Sequence, residues 1–168
     1  MKANNLPIPD FYIAKNEKDG INFVKSQKNS KWYVKVSGLA AGTGALFARS
    51  TKEAIEKAKE IKSFGAAAKT FLIEECLDGE EFSAFAIASG EEFKVLGYAQ
   101  DHKTVYDKDE GPNTGGMGCT SMPTVIDQNI KRQTEAIFKK TLQGLVKIQR
   151  PYVGILYLGG MIVNSKVK

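Results

Sequence analysis

Short blocks of hydrophobic residues, separated by polar turns, run through the first half of the chain. Blocks rich in β-branched and aromatic residues are typical of strands, whereas apolar positions three or four residues apart are typical of helices. The pattern predicts four short strands, at residues 11–14, 32–37, 45–49 and 70–74. It also predicts one helix over 16–27, capped by Asn16, and a second that begins at Ser50, where Ser50 and Glu53 fit a capping box.

The second half of the chain predicts a hairpin, a long connection, a long helix and a last strand. Residues 81–88 and 93–99 flank a Ser-Gly turn and form the hairpin. Residues 101–123 lack periodicity, so we expect a long loop there, which in a compact domain is usually functional or disordered. The helix spans 127–146 with Asp127 as its cap, and the strand at 152–163 is broken by two glycines. Strands with interspersed helices predict an α+β fold with mostly antiparallel sheets.

Composition indicates a folded protein outside the membrane. Of the 168 residues, 42% are hydrophobic and 26% are charged, which argues against disorder. No run of about 18 apolar residues is present, and the first residues carry no secretory signal, so we expect no membrane partner. Cys76 and Cys119 lie too far apart for a zinc-binding pair or a disulfide framework. These features predict a reduced, cytoplasmic protein.

Charge is unevenly distributed along the chain. The net charge is +5, but residues 1–69 carry thirteen basic and six acidic residues, whereas residues 70–168 carry eleven and thirteen. This distribution suits a cleft that holds a polyanion near fixed carboxylates. A solvated lysine face would give the same numbers. Aromatic residues are not interleaved with the basic ones, so we expect no nucleic-acid partner.

A glycine-rich segment, VKVSGLAAGTG at 34–44, is the first candidate for chemistry. Lys35 lies on a predicted strand, and the following loop could direct an ammonium and several backbone N–H groups at phosphates. The segment matches neither the Walker A pattern nor G-x-G-x-x-G. An ordinary hairpin connection with a solvent-facing lysine is the alternative.

An acidic segment, LIEECLDGEEF at 72–82, is the second candidate. Glu74 ends a buried-type strand and Glu81 follows a turn. Carboxylates only accept hydrogen bonds, and an adenine amino group and a ribose diol are donors, so the pair could hold a nucleoside. A solvated acidic turn is the alternative.

A third candidate, residues 99–118, holds the only histidine and the tract GPNTGGMG. The tract offers many backbone N–H groups and the short side chains of Asn113 and Thr114, which together suit a nest for a carboxylate or phosphate. A lone histidine such as His102 is more often a hydrogen-bonded structural residue than a general base.

These segments resemble one family when they are taken in order. VKVSGLAAGTG, LIEECLDGEEFS, AQDHK, GPNTGGMG and GILYLGGMI resemble the ATP-grasp region of the phosphoribosylamine–glycine ligase (glycinamide ribonucleotide synthetase) family. The resemblance covers nearly the whole chain and is densest from Tyr33 to Gly118. It implies an ATP-grasp fold with two α+β lobes, nucleotide between them, and a truncated second lobe. The implied divisions are a lead-in at 1–29, a flap lobe at 30–77, and the start of the second lobe at 78–168.

The resemblance also implies a reaction. ATP would phosphorylate the carboxylate of glycine, and the amine of 5-phosphoribosylamine would attack the acyl phosphate, giving glycinamide ribonucleotide, ADP and phosphate. ATP and Mg²⁺ (or Mn²⁺) are the implied cofactors, and the amino- and carboxy-terminal domains of the same enzyme are the implied partners. Because the family's metal ligands are expected beyond Lys168, we expect this chain alone to be inactive. A non-catalytic nucleotide-binding fragment, or another ATP-grasp ligase, remains the alternative.

Site residues carry over by motif. The resemblance implies ATP binding by Lys35, Gly38, Gly42, Thr43, Gly44, Glu74, Glu75, Leu77 and Glu81. It implies substrate-side loops at Asp101, His102, Lys103, Asn113, Thr114, Gly115 and Gly116. Within these sets, Lys35 would contact phosphates, Glu74 and the Leu77 backbone would lie near the adenine amino group, and Glu81 would accept from the ribose diol. No residue is assigned a catalytic role. Thr43 and Thr104 depart from the family, which has lysine and arginine there.

Overall fold

The computed structural model describes residues 1–28, 31–40, 44–107 and 110–168. The chain divides into two compact units. The smaller unit spans residues 9–77, and the larger unit combines residues 1–8 with 78–168. Residues 1–29, expected above to be one lead-in segment, are therefore shared between the two units.

The smaller unit is a four-stranded antiparallel sheet covered on one face by helices. Its strands, in the spatial order β1-β4-β2-β3, are β1 (Phe11–Ala14), β2 (Trp32–Val36), β3 (Ala45–Ala48) and β4 (Phe71–Glu75). Its helices are α1 (Glu17–Ser26) and α2 (Thr51–Glu60), and α2 runs into a 3-10 segment, Ile61–Ala68. The predicted elements of this region are confirmed to within one residue at each end.

Both helix starts follow the predicted caps. The Asn16 side chain accepts a hydrogen bond from the Asp19 N–H at 2.9 Å, and Ser50 Oγ accepts one from the Glu53 N–H at 3.2 Å. The Glu53 carboxylate accepts from the Arg49 N–H at 3.0 Å. The predicted capping box therefore forms with its return bond shifted one residue toward the N-terminus.

Side chains along β2 and β4 point alternately to the two faces of the sheet, and one of these faces packs into the core of the smaller unit. Trp32, Val34 and Ile73 are buried in the core cluster that includes helix residues such as Val24 and Ala58. The intervening residues point away from the helices because successive strand side chains alternate between faces. That second face carries two of the candidate nucleotide residues, Lys35 and Glu74.

The larger unit is a five-stranded antiparallel sheet packed against one long helix. Its strands, in the spatial order β7-β6-β5-β8-β9, are β5 (Glu80–Ser89), β6 (Glu92–Tyr106), β7 (Glu110–Ser121), β8 (Val153–Val163) and β9 (Lys166–Val167). Helix α3 (Gln128–Lys147) begins at Asp127, whose side chain accepts from the Ile130 N–H at 2.8 Å. Phe82, Ile130 and Phe138 form the centre of its core.

Two predictions for the larger unit are wrong. The expected loop at 101–123 is largely strand, because β6 continues to Tyr106 and β7 pairs with it. Every described side chain of β7 is exposed at this sheet edge, so the strand needs no hydrophobic alternation and gives no periodic signal. Strand β8 is also unbroken at Gly159 and Gly160. The Phe82 ring takes the place of a side chain there, since a Cβ on Gly160 would lie 2.7 Å from Phe82 Cε1.

Within the described ranges, no helix combines the length and the apolar character that a membrane span requires.

Candidate functional site

Lys35 and Glu74 form an ion pair on the helix-free face of the smaller sheet. In the β2–β4 pairing Tyr33 lies opposite Glu74, and Lys35 lies two residues further along β2, so its side chain reaches the carboxylate diagonally. The Lys35 ammonium also lies 5.3 Å from the centroid of the Tyr33 ring. The side chains of Lys35 and Glu74 are 33% and 19% exposed. The pair is therefore held in place and still reachable by a ligand.

The glycine-rich segment is anchored at both of its described ends. The Gly38 N–H donates to the Ala67 carbonyl at 3.0 Å, and the Val36 N–H donates to the Gly44 carbonyl at 2.9 Å. A Cβ on Gly38 would lie 2.6 Å from Ala67 Cα, so only glycine fits this approach of the 3-10 segment. Predicted residues Gly42 and Thr43 lie outside the described residues.

Glu75 and Leu77 lie at the end of the same unit. Glu75 Oε1 accepts from the Asp10 N–H at 3.0 Å, which ties the end of β4 to the start of β1. The Leu77 carbonyl accepts a weak hydrogen bond from Cys76 Sγ at 3.8 Å. The structure thus gives the Glu75 carboxylate a structural partner. A nucleotide contact by either residue stays a prediction.

In the larger unit, Glu81, Asp101 and Lys103 form a second charged cluster. The Lys103 ammonium pairs with the Glu81 carboxylate, and its Nζ lies 3.5 Å from Asp101 Oδ2. Burial lowers the pKa of Lys103, but the bonds and charges of the two carboxylates outweigh it, so the pKa is raised overall. The sequence assigned Glu81 to the nucleotide and Lys103 to the substrate, and the structure brings these two predicted groups into contact.

A bulge in β7 lies beside this cluster. His102 pairs with Gly118 and Thr104 pairs with Asn113, so Lys103 alone faces the four residues 114–117. Thr114 Oγ1 donates to the Lys103 carbonyl at 2.8 Å and accepts from the Gly116 N–H at 3.0 Å. The predicted nest thus coincides with a bulge in which the Thr114 hydroxyl both donates and accepts a hydrogen bond.

Glycine is required at only one of the two predicted positions in this bulge. Gly116 has a φ of 122°, which disfavours a side chain, and a Cβ there would lie 3.3 Å from Asp101 Oδ1. A Cβ on Gly115 would meet nothing within 4 Å. No steric clash in this structure therefore explains why residue 115 is a glycine.

His102 bonds across the β6–β7 pair. Its Nε2 lies 3.3 Å from Thr120 Oγ1. This cross-strand bond is the structural role that the sequence left open for the histidine. Asp101 pairs with Cys119 in the same ladder.

Among the described residues, no group of three or more His, Cys, Asp or Glu side chains is arranged to hold a metal ion. The described carboxylates of the two charged clusters are instead bonded to lysines. The residues that the structure describes therefore do not by themselves fit the divalent ion that the resemblance implies.

Sequence reasoning missed the contacts that support the site. Tyr33 beside Lys35, Ala67 beneath Gly38 and Thr70 bonded to Ser37 were not predicted. Only Tyr33 had a signal, because a residue two positions before Lys35 on a strand must share its face. The Ala67 contact depends on the 3-10 segment, which has no periodic pattern, and the Thr70 contact depends on the pairing of β2 with β4.

The comparison with known families now bears on this geometry. A family model described as Phosphoribosylglycinamide synthetase, ATP-grasp (A) domain matches residues 1–168. The chain belongs to this family. The match confirms the resemblance carried by the glycine-rich and acidic segments, and the ATP-grasp fold with it.

Relatives of known name agree with the family. Over 130 residues the chain is 44% identical to the phosphoribosylamine–glycine ligase of Streptococcus pyogenes serotype M1, covering 75% of this chain and 31% of that protein. It is 36% identical to the human trifunctional purine biosynthetic protein adenosine-3, over the full chain and 17% of that protein. A crystal structure of phosphoribosylamine–glycine ligase from Thermotoga maritima matches with a TM-score of 0.85 and 32% identity, covering 99% of this chain and 43% of that one. The chain thus spans well under half the length of these relatives.

Proposed function

We propose that this chain is the ATP-binding part of a ligase that joins glycine to 5-phosphoribosylamine in de novo purine biosynthesis. The reaction runs through glycyl phosphate and gives glycinamide ribonucleotide, ADP and phosphate. The observation that carries the proposal is the family match over residues 1–168, joined to the Lys35–Glu74 pair on an accessible sheet face. Relatives that bear the name of this ligase support the choice of substrates.

The first step of this reaction brings two anions together. A triphosphate and a glycine carboxylate repel each other, so the site must supply positive charge and oriented N–H groups where the phosphoryl group moves. Lys35 supplies an ammonium, and the segment from Gly38 to Gly44 supplies backbone N–H groups. The anchored ends of that segment support this role, because fixed ends limit where the loop can lie over the phosphates.

The ion pair constrains how Lys35 and Glu74 share a nucleotide. The adenine amino group and the phosphates lie at opposite ends of the ligand, whereas the ammonium and the carboxylate contact each other. Lys35 must therefore leave Glu74 to reach the phosphates, or both groups must act near the base. We propose the exchange, with Glu74 and the Leu77 backbone on the adenine amino group.

The larger unit supplies the remaining proposed contacts. Glu81 accepts hydrogen bonds from the ribose diol, because a carboxylate is an acceptor only and the diol has two donors. The substrate-side residues of β6 and β7 hold the small substrates, with backbone N–H groups of the 113–116 segment toward an anionic group. Shielding the acyl phosphate from water is a further requirement of the reaction.

The cofactor and setting follow from the family. ATP-grasp membership implies ATP and a divalent metal, and we propose that the ion is Mg²⁺ (or Mn²⁺), held by ligands other than the described residues. We propose a cytoplasmic setting, which the two widely separated cysteines support because they offer no disulfide framework. Since the relatives are much longer than the matched region, we propose that ligation also needs the other domains of such an enzyme, and that this chain alone does not ligate.

Calorimetric titration with ATP, with and without Mg²⁺, tests the proposal. We expect saturable binding that weakens about tenfold in Lys35→Met and in Glu74→Gln, since each loses a charged hydrogen-bonding group. Lys52→Met is the matched control, because Lys52 is an exposed lysine on α2 of the same unit. Unchanged ATP affinity in both site variants, or no saturable binding by the folded wild type, would contradict the proposal.

A second candidate is nucleotide binding without turnover. Thr43, which replaces the family lysine in the glycine-rich segment, favours it because an ammonium near the phosphates is lost. ADP release on addition of glycine and 5-phosphoribosylamine, measured with this chain joined to the other domains of such an enzyme, separates the two candidates. Release supports the ligase, and ATP binding without release supports the second candidate.

A further inference from the structure

Two different parts of the larger unit hold Lys103, one through its side chain and one through its backbone. Its ammonium bonds the Glu81 carboxylate of β5 and approaches Asp101 of its own strand. Its carbonyl accepts the Thr114 hydroxyl from the β7 bulge. A single residue therefore connects a carboxylate assigned to the nucleotide with a segment assigned to the small substrates.

Charge balance makes the ammonium necessary for the geometry of this cluster. Glu81 and Asp101 are both acceptors, and Lys103 is the cation that contacts each of them. Without it, the two carboxylates would repel each other, and Glu81 would lose the partner that limits its rotamers. The Glu81 side chain is 44% exposed, so packing alone does not fix its orientation.

The bulge contributes to the same arrangement. Thr114 bridges the Lys103 carbonyl and the Gly116 N–H, and Gly116 lies so near Asp101 that a Cβ on it would be 3.3 Å from Asp101 Oδ1. A shift of Lys103 would therefore also displace Gly116, because the two residues are linked by the hydrogen bonds of Thr114 and by the close approach of Gly116 to Asp101.

We propose that Lys103 is a positioning residue that orients the Glu81 carboxylate for a ribose diol and couples it to the Thr114–Gly116 bulge. The proposal rests on the proposed function, since Glu81 must face a ribose. It moves Lys103 from direct substrate contact to control of nucleotide binding through Glu81. The readout is therefore discrimination at the ribose, which a phosphate contact or a general loss of stability would not change.

Titration with ATP and with 2′-deoxyATP isolates the ribose term. We expect wild type to prefer ATP by about tenfold, the size of one hydrogen bond to a charged acceptor. Lys103→Met should reduce that preference to about twofold or less, as should Glu81→Gln. The double variant should be no worse than either single one, because both changes remove the same interaction.

Two controls separate positioning from other effects. Lys103→Arg keeps the charge and should retain most of the preference for ATP. Lys94→Met removes an exposed lysine from the same strand and should behave as wild type. Amide hydrogen exchange at Gly116, measured without nucleotide, should accelerate in Lys103→Met and not in Lys94→Met.

The outcomes distinguish this inference from the proposed function. Equal weakening of ATP and 2′-deoxyATP in Lys103→Met, with the preference intact, would overturn it and indicate a phosphate contact. An unchanged preference with unchanged affinity would also overturn it. Absence of ATP binding by wild type would instead overturn the proposed function. Unaltered hydrogen exchange at Gly116 in Lys103→Met would overturn the coupling between Lys103 and the bulge.

Discussion

Gly160 offers a quantitative test of packing in the larger unit. It lies within β8 opposite Phe82 of β5, and Phe82 is fully buried. A Cβ at this position would lie 2.7 Å from Cε1 and 3.0 Å from Cζ of the Phe82 ring. The ring belongs to the buried core cluster, so Gly160→Ala adds a methyl group to a site that the ring already occupies.

Two opposing effects set the size of the change. Replacing glycine by alanine in an allowed conformation stabilises a protein by about 0.4–1 kcal/mol, because the unfolded chain loses freedom. Forcing a methyl group into a well-packed core costs about 1–3 kcal/mol. We therefore expect Gly160→Ala to lower the free energy of unfolding by about 0.5–2 kcal/mol.

Gly97→Ala is the matched control. Gly97 lies in β6 of the same sheet, and a Cβ there would meet nothing within 4 Å. It should therefore keep only the stabilising effect. Urea denaturation, with amide hydrogen exchange in β5 as a second measurement, gives the free energy of unfolding of each variant. For Gly160→Ala we expect a lower denaturation midpoint with an unchanged slope. In a Phe82→Leu background Gly160→Ala should cost less, because the smaller side chain leaves room for the added methyl group. Equal stability of Gly160→Ala and Gly97→Ala would refute the packing argument.

Three further predictions concern other contacts. Thr134→Val should raise the free energy of unfolding by about 1 kcal/mol in thermal denaturation, because the buried Thr134 hydroxyl has no hydrogen-bond partner among the residues that the structure describes. Gly38→Ala should weaken ATP binding in calorimetry, since the new Cβ would meet Ala67 and displace the base of the glycine-rich segment; unchanged affinity would contradict the proposed phosphate role. The Lys15 N–H is the largest of the causes that lower the pKa of Asp19, so the folded state binds the Asp19 proton less tightly than the unfolded state does. The resulting stability is present above the ordinary Asp pKa and is lost as pH falls through the lowered one, and Asp19→Asn should flatten that acid limb of a pH–stability curve.

Local patterns predicted the smaller unit well. The caps Asn16 and Ser50 lie at the helix starts, and the four strands agree with their hydrophobic blocks. Each of these elements buries one face in a core, so its sequence carries the period of the structure. The 3-10 segment Ile61–Ala68 was not predicted, because its kink at Gly65 breaks any helical period.

The candidate site was only partly predictable for the same reason. The motifs located Lys35, Glu74, Glu81 and Lys103, yet the pairing of each lysine with a glutamate depends on strand order, which no local pattern specifies. The edge strand β7 buries no described side chain and so left no periodic signal. Polar edge strands are the general case in which a loop prediction and a strand are hard to separate.

The exposure of the Lys35–Glu74 pair suits ligand exchange. Its side chains are 33% and 19% exposed, and an ion pair that solvent can reach is worth about 0–1 kcal/mol, whereas breaking a buried pair costs about 3–5 kcal/mol. Lys35 can therefore leave Glu74 for a phosphate at little cost, while the pair still limits where each side chain lies beforehand. Because such pairs and phosphate contacts are both screened by salt, ATP affinity should fall as ionic strength rises. The ATP preference at the ribose, which depends on a neutral donor, should fall much less, and calorimetric titrations of ATP and 2′-deoxyATP at low and high salt would measure both. A ribose preference that declines as steeply as the ATP affinity would contradict the separate roles given to Lys35 and Glu81.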